Sequence, residues 1–452
     1  MAESVDVVVV GLGVGGEEVA GKLAEAGLSV VGIEGKLVGG ECPYWGCVPS
    51  KMMIRAGNLL TEGRRIPGMA GRSEVHPDWA PVAERIRSEA TDNWNDKVAV
   101  DRFTGKGGRF VRGWGRLDGP GRVRVGDDVF EASRAVVIGT GTAPSIPPIE
   151  GLSGTPYWTN REAIEADTLP RSLVVLGGGA IGLELAQVFA RFGVKTTVVE
   201  AEPRVIAFEE PESSDLAAKA LAADGIDIVA GKGVARVEHG DRFTVTLADG
   251  STITGERLLV ATGRRADLSK LGVETVGIDS AARAIPVNDR MRAAPGVWAV
   301  GDVTGKGAFT HVAMYQAGIA IRDILRQPGP PADYRALPRV TFTDPEIGAV
   351  GLTEKQARDK GLPVQAGLAK VPSSARGWIH KAGNDGFIKL VADTERGVLI
   401  GATSAGPVGG EVLGALAVAV HGEVPVEHLR HMIYAYPTFH RGIEDALRAL
   451  VS

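Results

Sequence analysis

Two glycine-rich segments with the same spacing are the feature that most constrains the fold of this chain. The first occupies positions 11–16, GLGVGG, and has the form G-x-G-x-x-G. In such a turn Gly11 permits the tight bend, Gly13 lets the backbone approach a pyrophosphate, and Gly16 lets a helix pack closely on a strand. The segment therefore predicts a helix N-terminus that binds the phosphates of a dinucleotide.

The residues around this turn have the pattern of a strand, a helix and a second strand. The β-branched run Val7–Val10 predicts a buried parallel strand before the turn. The next strand, Ser29–Ile33, ends in Glu34, whose carboxylate can accept hydrogen bonds from ribose hydroxyls. The helix between them, which ends at Gly27, is predicted by four apolar residues on one helical face: Val19, Ala20, Leu23 and Ala24.

The same unit recurs later in the chain. A strand at Leu173–Leu176 leads into GGGAIG at positions 177–182, and the following strand, Lys195–Val199, ends in Glu200. The same number of positions separates the first glycine from the terminal acid in both copies. Two such cores predict two bound dinucleotides, the alternative being that one copy is a structural relic. The glycines that take the same three roles in the second turn are Gly177, Gly179 and Gly182.

Cys42 and Cys47 are the only two cysteines among 452 residues, and four residues separate them. Closing so short a loop removes little entropy from the unfolded chain, so a purely structural disulfide is disfavoured. A metal site is disfavoured because no companion cluster of histidines and cysteines is present, and we predict no metal ligands. The pair predicts a redox-active disulfide, with FAD in the first dinucleotide core and a nicotinamide cofactor in the second.

With these motifs the chain resembles the class I pyridine nucleotide-disulfide oxidoreductases, the family of dihydrolipoamide dehydrogenase, glutathione reductase and mercuric reductase. The segment GGECPYWGCVPSK at 39–51 is similar to the redox-active motif of that family. The resemblance covers essentially the whole chain. Further segments that resemble family signatures are VVIGTG at 136–141, VATGR at 260–264, VWAVGD at 297–302, and residues 338–351.

This resemblance implies an α/β fold with two Rossmann-like dinucleotide-binding domains, for FAD and for NAD(P), and a C-terminal α+β dimerisation domain. A homodimer is implied with it. The implied ranges are 1–150 for the first part of the FAD-binding domain, 151–270 for the NAD(P)-binding domain, 271–335 for the return to the FAD-binding or central domain, and 336–452 for the dimerisation domain.

The resemblance also implies roles for single residues. In the family the second cysteine faces the flavin, which makes Cys47 the charge-transfer thiolate and Cys42 the thiol that exchanges with substrate. Lys51 matches a lysine near flavin N5, and Glu184 matches its ion-pair partner, with a capping or surface carboxylate as the alternative for Glu184. Asp302 matches the aspartate that meets the ribityl chain of FAD. The cofactor-binding glycines implied by the signatures are Gly141, Gly263 and Gly301.

The choice between NADH and NADPH depends on Glu200. A carboxylate at this position can bond a ribose 2′-hydroxyl and repels a 2′-phosphate, which favours NADH. NADPH-using relatives of the glutathione reductase kind have arginine at about this point. Arg204 lies nearby in the sequence and leaves NADPH possible.

The chain departs from the family pattern near its C-terminus. Disulfide-reducing members have a His-Pro-Thr-x-x-Glu stretch, whose histidine is the acid/base for the exchanging thiol and whose glutamate orients it. Here Tyr436 stands at the histidine position and Arg441 replaces the glutamate. A phenol with the ordinary pKa of about 10 is a poor base at neutral pH but can donate a proton. His440 and His431 are alternative bases, although a partly exposed histidine without a catalytic role is the favoured interpretation of both.

Three functions remain open at this stage. The first is an NAD(P)H-dependent FAD enzyme resembling dihydrolipoamide dehydrogenase, which acts on a small-molecule or protein disulfide without the usual His-Glu base. The second is a reductase of quinones or other electron acceptors. The third is a flavoprotein whose cysteine pair switches a partner interaction. A mercuric reductase is less favoured, because those enzymes carry an additional C-terminal cysteine pair that this sequence lacks.

The composition of the chain limits the classes of binding partner and indicates a cellular compartment. The formal net charge is −5, so no broad basic field is available for a nucleic acid. The N-terminal apolar run is too short for a signal peptide or a membrane span. Two cysteines and no export signal predict a reducing cytoplasm, where a disulfide has a catalytic role.

Overall fold

The computed structural model describes residues 2–450, which form two compact units. The first unit comprises the residues up to Pro49, Glu84–Ser145 and Gly263–Asp333. The second comprises Ser50–Ala83, Ile146–Thr262 and the residues from Tyr334 onward. Both units mix helices with sheets, as the α/β prediction requires. We retain the four domain ranges given by the sequence as a proposal.

The first unit is built on an eight-stranded sheet with a parallel centre. The predicted strand before the first glycine turn is Glu3–Val10, and it pairs in parallel with Val30–Glu34, where Val10 lies opposite Ile33. Six of the eight strands follow one another across the sheet in the order Arg292–Ala294, Val297–Ala299, Asp128–Ile138, Glu3–Val10, Val30–Glu34 and Arg109–Arg112. Strands Arg116–Leu117 and Arg122–Val125 extend the sheet beside Asp128–Ile138, and Ala143–Pro144 pairs separately with Arg264–Arg265.

Alternate side chains of the strand Glu3–Val10 belong to two hydrophobic clusters on opposite faces of the sheet. Val7 and Val9 pack with the helices on one face of the sheet, whereas Val8 and Val10 pack with the β-rich stretch on the other. All four side chains are at most 2% exposed, as expected for a strand covered on both faces. The helices of this unit are Val14–Glu25, Glu41–Trp45, the π-helical turn Ile86–Ala90, Lys97–Gly105 and Thr310–Ile324, with 3₁₀ turns at Val273–Val276 and Asp302–Thr304.

The second unit contains three sheets. A parallel sheet follows the second glycine turn, a three-stranded antiparallel sheet covers it, and a five-stranded antiparallel sheet forms the C-terminal part. Their strands, in sheet order, are Asp227–Ala230, Lys195–Glu200, Ser172–Leu176 and Arg257–Val260; then Val234–His239, Phe243–Leu247 and Thr252–Gly255; then Pro338–Thr341, Glu346–Gly351, Val398–Gly406, Phe387–Asp393 and Val364–Lys370.

Helices cover both parallel and antiparallel sheets of this unit. The helix Ala180–Arg191 follows the second glycine turn, as predicted, and its apolar face is buried. The other helices are Asn160–Ile164, Pro211–Ala223, Glu354–Asp359, Ala375–His380, Gly409–His421, Val426–His431 and Gly442–Arg448, with a 3₁₀ turn at Val371–Ser373. Two further helices, Cys47–Arg65 and Ala80–Arg85, continue from one unit into the other along the chain.

A buried arginine ties three segments of the second unit together. Arg191, only 4% exposed, contacts Asp224 at 3.0 Å and Asp344 at 2.8 Å. Its third donor group bonds Asn58 Oδ1 at 2.6 Å. A buried guanidinium is tolerated only when its donors are paired in this way. The Cys47–Arg65 helix, the Ala180–Arg191 helix and the start of the C-terminal sheet are therefore held in fixed positions inside this unit.

Candidate active site

The first glycine turn has the geometry of a phosphate-binding cradle. A Cβ atom added to Gly16 would lie 1.9 Å from the carbonyl oxygen of Gly11, so only glycine lets the Val14–Glu25 helix begin this close to the strand. A Cβ atom on Gly13 would meet nothing nearer than 3.8 Å. The middle of the turn is thus open to a ligand, and the helix N-terminus supplies backbone N–H groups and the positive end of its dipole.

Glu34 lies beside this cradle. Its Oε2 atom accepts a hydrogen bond from Leu12 N at 2.9 Å, and its Oε1 atom accepts one from Lys36 N at 2.7 Å. These bonds fix the carboxylate next to the glycine turn. Because each carboxylate oxygen has a second lone pair, the group can still accept bonds from a ribose. The residues of the first core therefore fit the ADP half of FAD.

The second glycine turn repeats this construction. A Cβ atom on Gly182 would lie 2.1 Å from the carbonyl oxygen of Gly177, whereas one on Gly179 would meet nothing within 4 Å. Glu200 accepts a hydrogen bond from Gly178 N at 2.6 Å, as Glu34 does in the first core. The second core therefore fits a nicotinamide dinucleotide by the same reasoning.

Arg204 is bound by its own loop. Its guanidinium donates hydrogen bonds to the carbonyl oxygens of Ala207 and Glu209, each at 2.7 Å, and to Ser214 Oγ. These contacts use three of the five N–H donors of the guanidinium. The preference for NADH that Glu200 indicates stays a prediction, with NADPH possible.

The two cysteines lie on two consecutive helices. Cys42 belongs to the helix Glu41–Trp45, and Cys47 is the first residue of the helix Cys47–Arg65. Gly46 separates them, and a Cβ atom there would lie 3.2 Å from the Cα atom of Cys42. The absence of a side chain at Gly46 therefore lets the two helices meet closely. Both cysteines are thiols in this structure; Cys47 is exposed and Cys42 is half-buried.

Thr310 joins the cysteine pair from a distant part of the sequence. Its Oγ1 atom lies 3.4 Å from Cys47 Sγ. Thr310 is also the first residue of the helix Thr310–Ile324, so the positive end of that helix lies beside the sulfur atoms. This contact was not predicted, although Thr310 lies within the range 271–335 that the resemblance assigns to the return to the FAD-binding or central domain.

Cys47 and burial both act on the pKa of Cys42. A side-chain hydrogen bond with Cys47 raises the pKa of the Cys42 thiol most strongly, and burial raises it further. A negative charge on Cys47 acts in the same direction, while a hydrogen bond with Thr310 opposes these effects. The local environment therefore favours the protonated form of Cys42. The roles of the two thiols stay predictions from the resemblance.

Three signature segments that are far apart in sequence converge in the first unit. Thr142 donates a hydrogen bond to Asp302 Oδ2 at 2.9 Å, and Arg264 donates to Thr142 Oγ1 at 3.0 Å. Arg264 also lies 3.6 Å from Glu41, the residue before Cys42. Burial raises the pKa of Asp302, as expected for a carboxyl enclosed in a cofactor-binding region. The residues that precede Thr142, Arg264 and Asp302 in the chain are the predicted glycines Gly141, Gly263 and Gly301.

Lys51 and Glu184 form an ion pair within the second unit. Lys51 Nζ lies 2.8 Å from Glu184 Oε2, and Glu184 is only 6% exposed. The other carboxylate oxygen of Glu184 accepts a hydrogen bond from Phe342 N at 2.8 Å, and Lys51 Nζ lies 4.7 Å from the centre of the Phe342 ring. Glu184 is therefore not a surface carboxylate. Phe342, which the sequence did not single out as a site residue, fixes both partners.

The C-terminal segment presents Tyr436 to solvent. Tyr436 is 70% exposed, and the guanidinium carbon of Arg441 lies 5.5 Å from the centre of its ring. Arg441 is itself held by Glu444 at 2.9 Å. The phenol of Tyr436 is therefore packed against the cation of Arg441.

His440 has a different environment from Tyr436. Its Nε2 atom lies 3.5 Å from Thr438 Oγ1, and its ring centre is 6.3 Å from that of Tyr434. Across residues 2–450, no hydrogen bond or ring contact joins His440 to Tyr436. His431 is exposed on the helix that precedes this segment. Tyr436 and His440 are therefore separate candidates for the proton-transfer role.

Comparisons with known proteins agree with this arrangement. A family model described as pyridine nucleotide-disulphide oxidoreductase matches residues 5–317, and a model for the dimerisation domain of the same family matches residues 337–447. A dihydrolipoyl dehydrogenase of Thermus scotoductus is 32% identical and covers 98% of this chain and 97% of its own length. A mercuric reductase of Shewanella putrefaciens is 33% identical over 97% of this chain and 80% of its own length.

Solved structures show the same similarity. The HOCl-induced flavoprotein disulfide reductase RclA of Escherichia coli, in a Cu(II) complex, superposes with a TM-score of 0.87 at 26% identity, covering 99% of both chains. LpdA of Mycobacterium tuberculosis superposes with the same TM-score at 27% identity, covering 100% of both chains. Within residues 2–450, none of the helices combines the length and the hydropathy that crossing a membrane requires.

The raised pKa of Cys42 predicts an unusual pH dependence of alkylation. In the dithiothreitol-reduced protein, the rate of Cys42 modification by iodoacetamide should rise about tenfold per pH unit from about pH 7 to 10, because only the thiolate reacts. An ordinary thiol would level off near its pKa of about 8.5. Peptide mass spectrometry measures the modification at each cysteine separately.

The matched control for this measurement is Cys47→Ala. This change removes both the hydrogen bond and the negative charge that raise the Cys42 pKa, so the alkylation rate should level off at a lower pH. Identical pH profiles for Cys42 in the two proteins would contradict the coupling between the sulfur atoms.

Proposed function

Because the chain belongs to the pyridine nucleotide-disulphide oxidoreductase family of FAD-dependent enzymes that use NAD(P)H, we propose that it reduces a disulfide substrate through the Cys42–Cys47 pair. The observation that carries this proposal is the pair of thiols, with Cys47 Sγ lying 3.4 Å from Thr310 Oγ1. Bound flavin supplies the transfer of two electrons between nicotinamide and disulfide. The lipoyl dehydrogenases and the disulfide reductase among its relatives support this substrate class.

The chemistry of the cysteines can be written as two exchange steps. Two electrons and two protons convert the Cys42–Cys47 disulfide into two thiols. Cys42, once deprotonated, attacks one sulfur of the substrate disulfide, forms a mixed disulfide and releases the first substrate thiolate. The Cys47 thiolate then attacks Cys42, restores the internal disulfide and releases the second. Cys42 and Cys47 each release one proton to solvent before they attack. Each released substrate thiolate takes up one proton from Tyr436, the proposed donor in the homodimer implied by the dimerisation domain, and solvent reprotonates the phenolate after each transfer.

A second candidate function is the reduction of quinones or other electron acceptors. It is favoured by Tyr436 and Arg441, because this pair replaces the histidine and glutamate that generate the attacking thiolate in disulfide-reducing relatives. The Cu(II) complex of the E. coli relative adds copper ions to the acceptors worth testing. A redox switch without turnover has less support, since the site retains the parts that both cofactors need. A cytoplasmic location remains the prediction from the sequence.

Cys42→Ser distinguishes the two candidate functions. The variant should lose turnover of disulfides such as lipoamide or 5,5′-dithiobis(2-nitrobenzoate), because serine cannot form the mixed disulfide. NADH oxidation with 1,4-benzoquinone should persist, since that acceptor can take electrons without the sulfur pair. Steady-state NADH oxidation measures both activities. Disulfide turnover by Cys42→Ser at the wild-type rate would exclude the first function.

Tyr436→Phe tests the proposed proton donor. Removal of the phenol hydroxyl should lower kcat for a disulfide by about a hundredfold, the lower end of the range for general acid catalysis. The rate with 1,4-benzoquinone should change by less than about twofold. His440→Ala is the matched variant, and it should retain disulfide turnover. A reversed pattern, with His440→Ala impaired and Tyr436→Phe unimpaired, would assign the role to His440.

The bound state of Arg204 and the position of Glu200 support NADH as the preferred cofactor. Glu200→Gln keeps an acceptor for Gly178 but removes the charge that repels a 2′-phosphate. The KM for NADPH should therefore fall by about tenfold, equivalent to about 1.4 kcal/mol. Glu202→Gln, at an exposed neighbouring position, is the control and should leave the ratio of the two KM values unchanged. Equal ratios in both variants would show that Glu200 does not set the preference.

A further inference from the structure

The sheet of the first unit fixes where each part of a bound dinucleotide must lie. Strands Glu3–Val10, Val30–Glu34 and Arg109–Arg112 are adjacent and parallel, so their carboxyl ends share one edge of the sheet. The glycine turn follows the first strand, and Glu34 ends the second. A ligand whose pyrophosphate binds the turn and whose ribose binds Glu34 therefore continues towards the end of the third strand with its base.

The residue exposed at that end is Trp114. Its side chain is 71% exposed, which is unusual for tryptophan, whose large ring is mostly buried in folded proteins. Three ring carbons, Cδ2, Cε2 and Cε3, lie 2.6–2.8 Å from the position that a Cβ atom on Gly35 would take. Since these distances are nearly equal, the indole lies with one face on the backbone of Gly35. Most of the remaining ring surface is open to solvent.

Glycines on both sides of Trp114 explain this position. Gly113 N donates a hydrogen bond to the carbonyl oxygen of Glu34 at 3.0 Å, which joins the end of the third strand to the ribose-binding residue. A Cβ atom on Gly115 would lie 2.9 Å from Val10, so only glycine lets this segment lie against the first strand. The indole is thereby fixed against Gly35, the residue that follows Glu34 in the chain.

We propose that Trp114 binds the adenine ring of FAD by stacking. An adenine has two π-faces and a rigid plane, and stacking on an aromatic side chain is a common way for proteins to bind a nucleobase. The indole packs against Gly35, so the ring is already positioned in the absence of the ligand. This role concerns the binding of the cofactor and is independent of which acceptor the enzyme reduces.

The test compares two flavins that differ only in the adenylate half. FAD is removed from the purified protein, and the dissociation constants of FAD and FMN are measured by calorimetry for wild type, Trp114→Ala and Trp114→Phe. Trp114→Ala should weaken FAD binding by about tenfold to a hundredfold, the range for loss of one base–aromatic stack. Binding of FMN, which has no adenine, should stay within about threefold of wild type, and Trp114→Phe should recover most of the FAD affinity.

Trp378→Ala is the matched control, since Trp378 is 76% exposed and belongs to the second unit. It should leave FAD affinity unchanged. ADP provides a further probe, because it carries the adenine without the flavin and should lose affinity in Trp114→Ala to the same extent as FAD. The proposal is overturned if Trp114→Ala binds FAD as tightly as wild type, or if FAD and FMN are weakened equally. Far-UV circular dichroism and a second variant, Trp114→Gln, ensure that loss of folding is not the cause.

Discussion

Both dinucleotide cores depend on one contact, the approach of a helix to the end of the strand before it. At Gly16 and Gly182 a side chain would collide with a carbonyl oxygen about two ångströms away, at 1.9 and 2.1 Å. This contact places the helix N-terminus over the turn, where its free N–H groups can bind phosphate. The acids Glu34 and Glu200 then bond the backbone of the same turns. Loss of the contact would move the phosphate site and the ribose site together.

The redox pair is connected to the first core by long-range contacts. Gly46 permits the two helices that carry the cysteines to meet, and Thr310 brings the start of a distant helix to Cys47. The hydrogen bonds from Arg264 to Thr142 and from Thr142 to Asp302 join three signature segments beside the residue that precedes Cys42. The same unit thus fixes the cysteines and the residues predicted to bind FAD, as transfer of electrons between flavin and disulfide would require.

The parts that the sequence predicted well are those set by local geometry. The glycine turns, the strands before them and the terminal acids depend on residues close in sequence, so a pattern of residue types suffices. The contact of Thr310 with Cys47 and of Phe342 with Lys51 depends on how distant strands and helices pack, and no local pattern encodes it. Arg204 shows the same limit, because its position in the sequence gave no sign of its bonds to carbonyl oxygens of its own loop.

We propose that electrons from NADH pass through the flavin to the Cys42–Cys47 disulfide. An anaerobic titration of the purified, FAD-loaded protein with NADH, performed on wild type and on Cys42→Ser, tests it most directly. The wild-type protein should take up one equivalent of NADH before the flavin absorbance falls, because the disulfide holds these two electrons. The flavin of Cys42→Ser should bleach from the first addition. Bleaching from the first addition in both proteins would show that the cysteines take no part and would contradict the account.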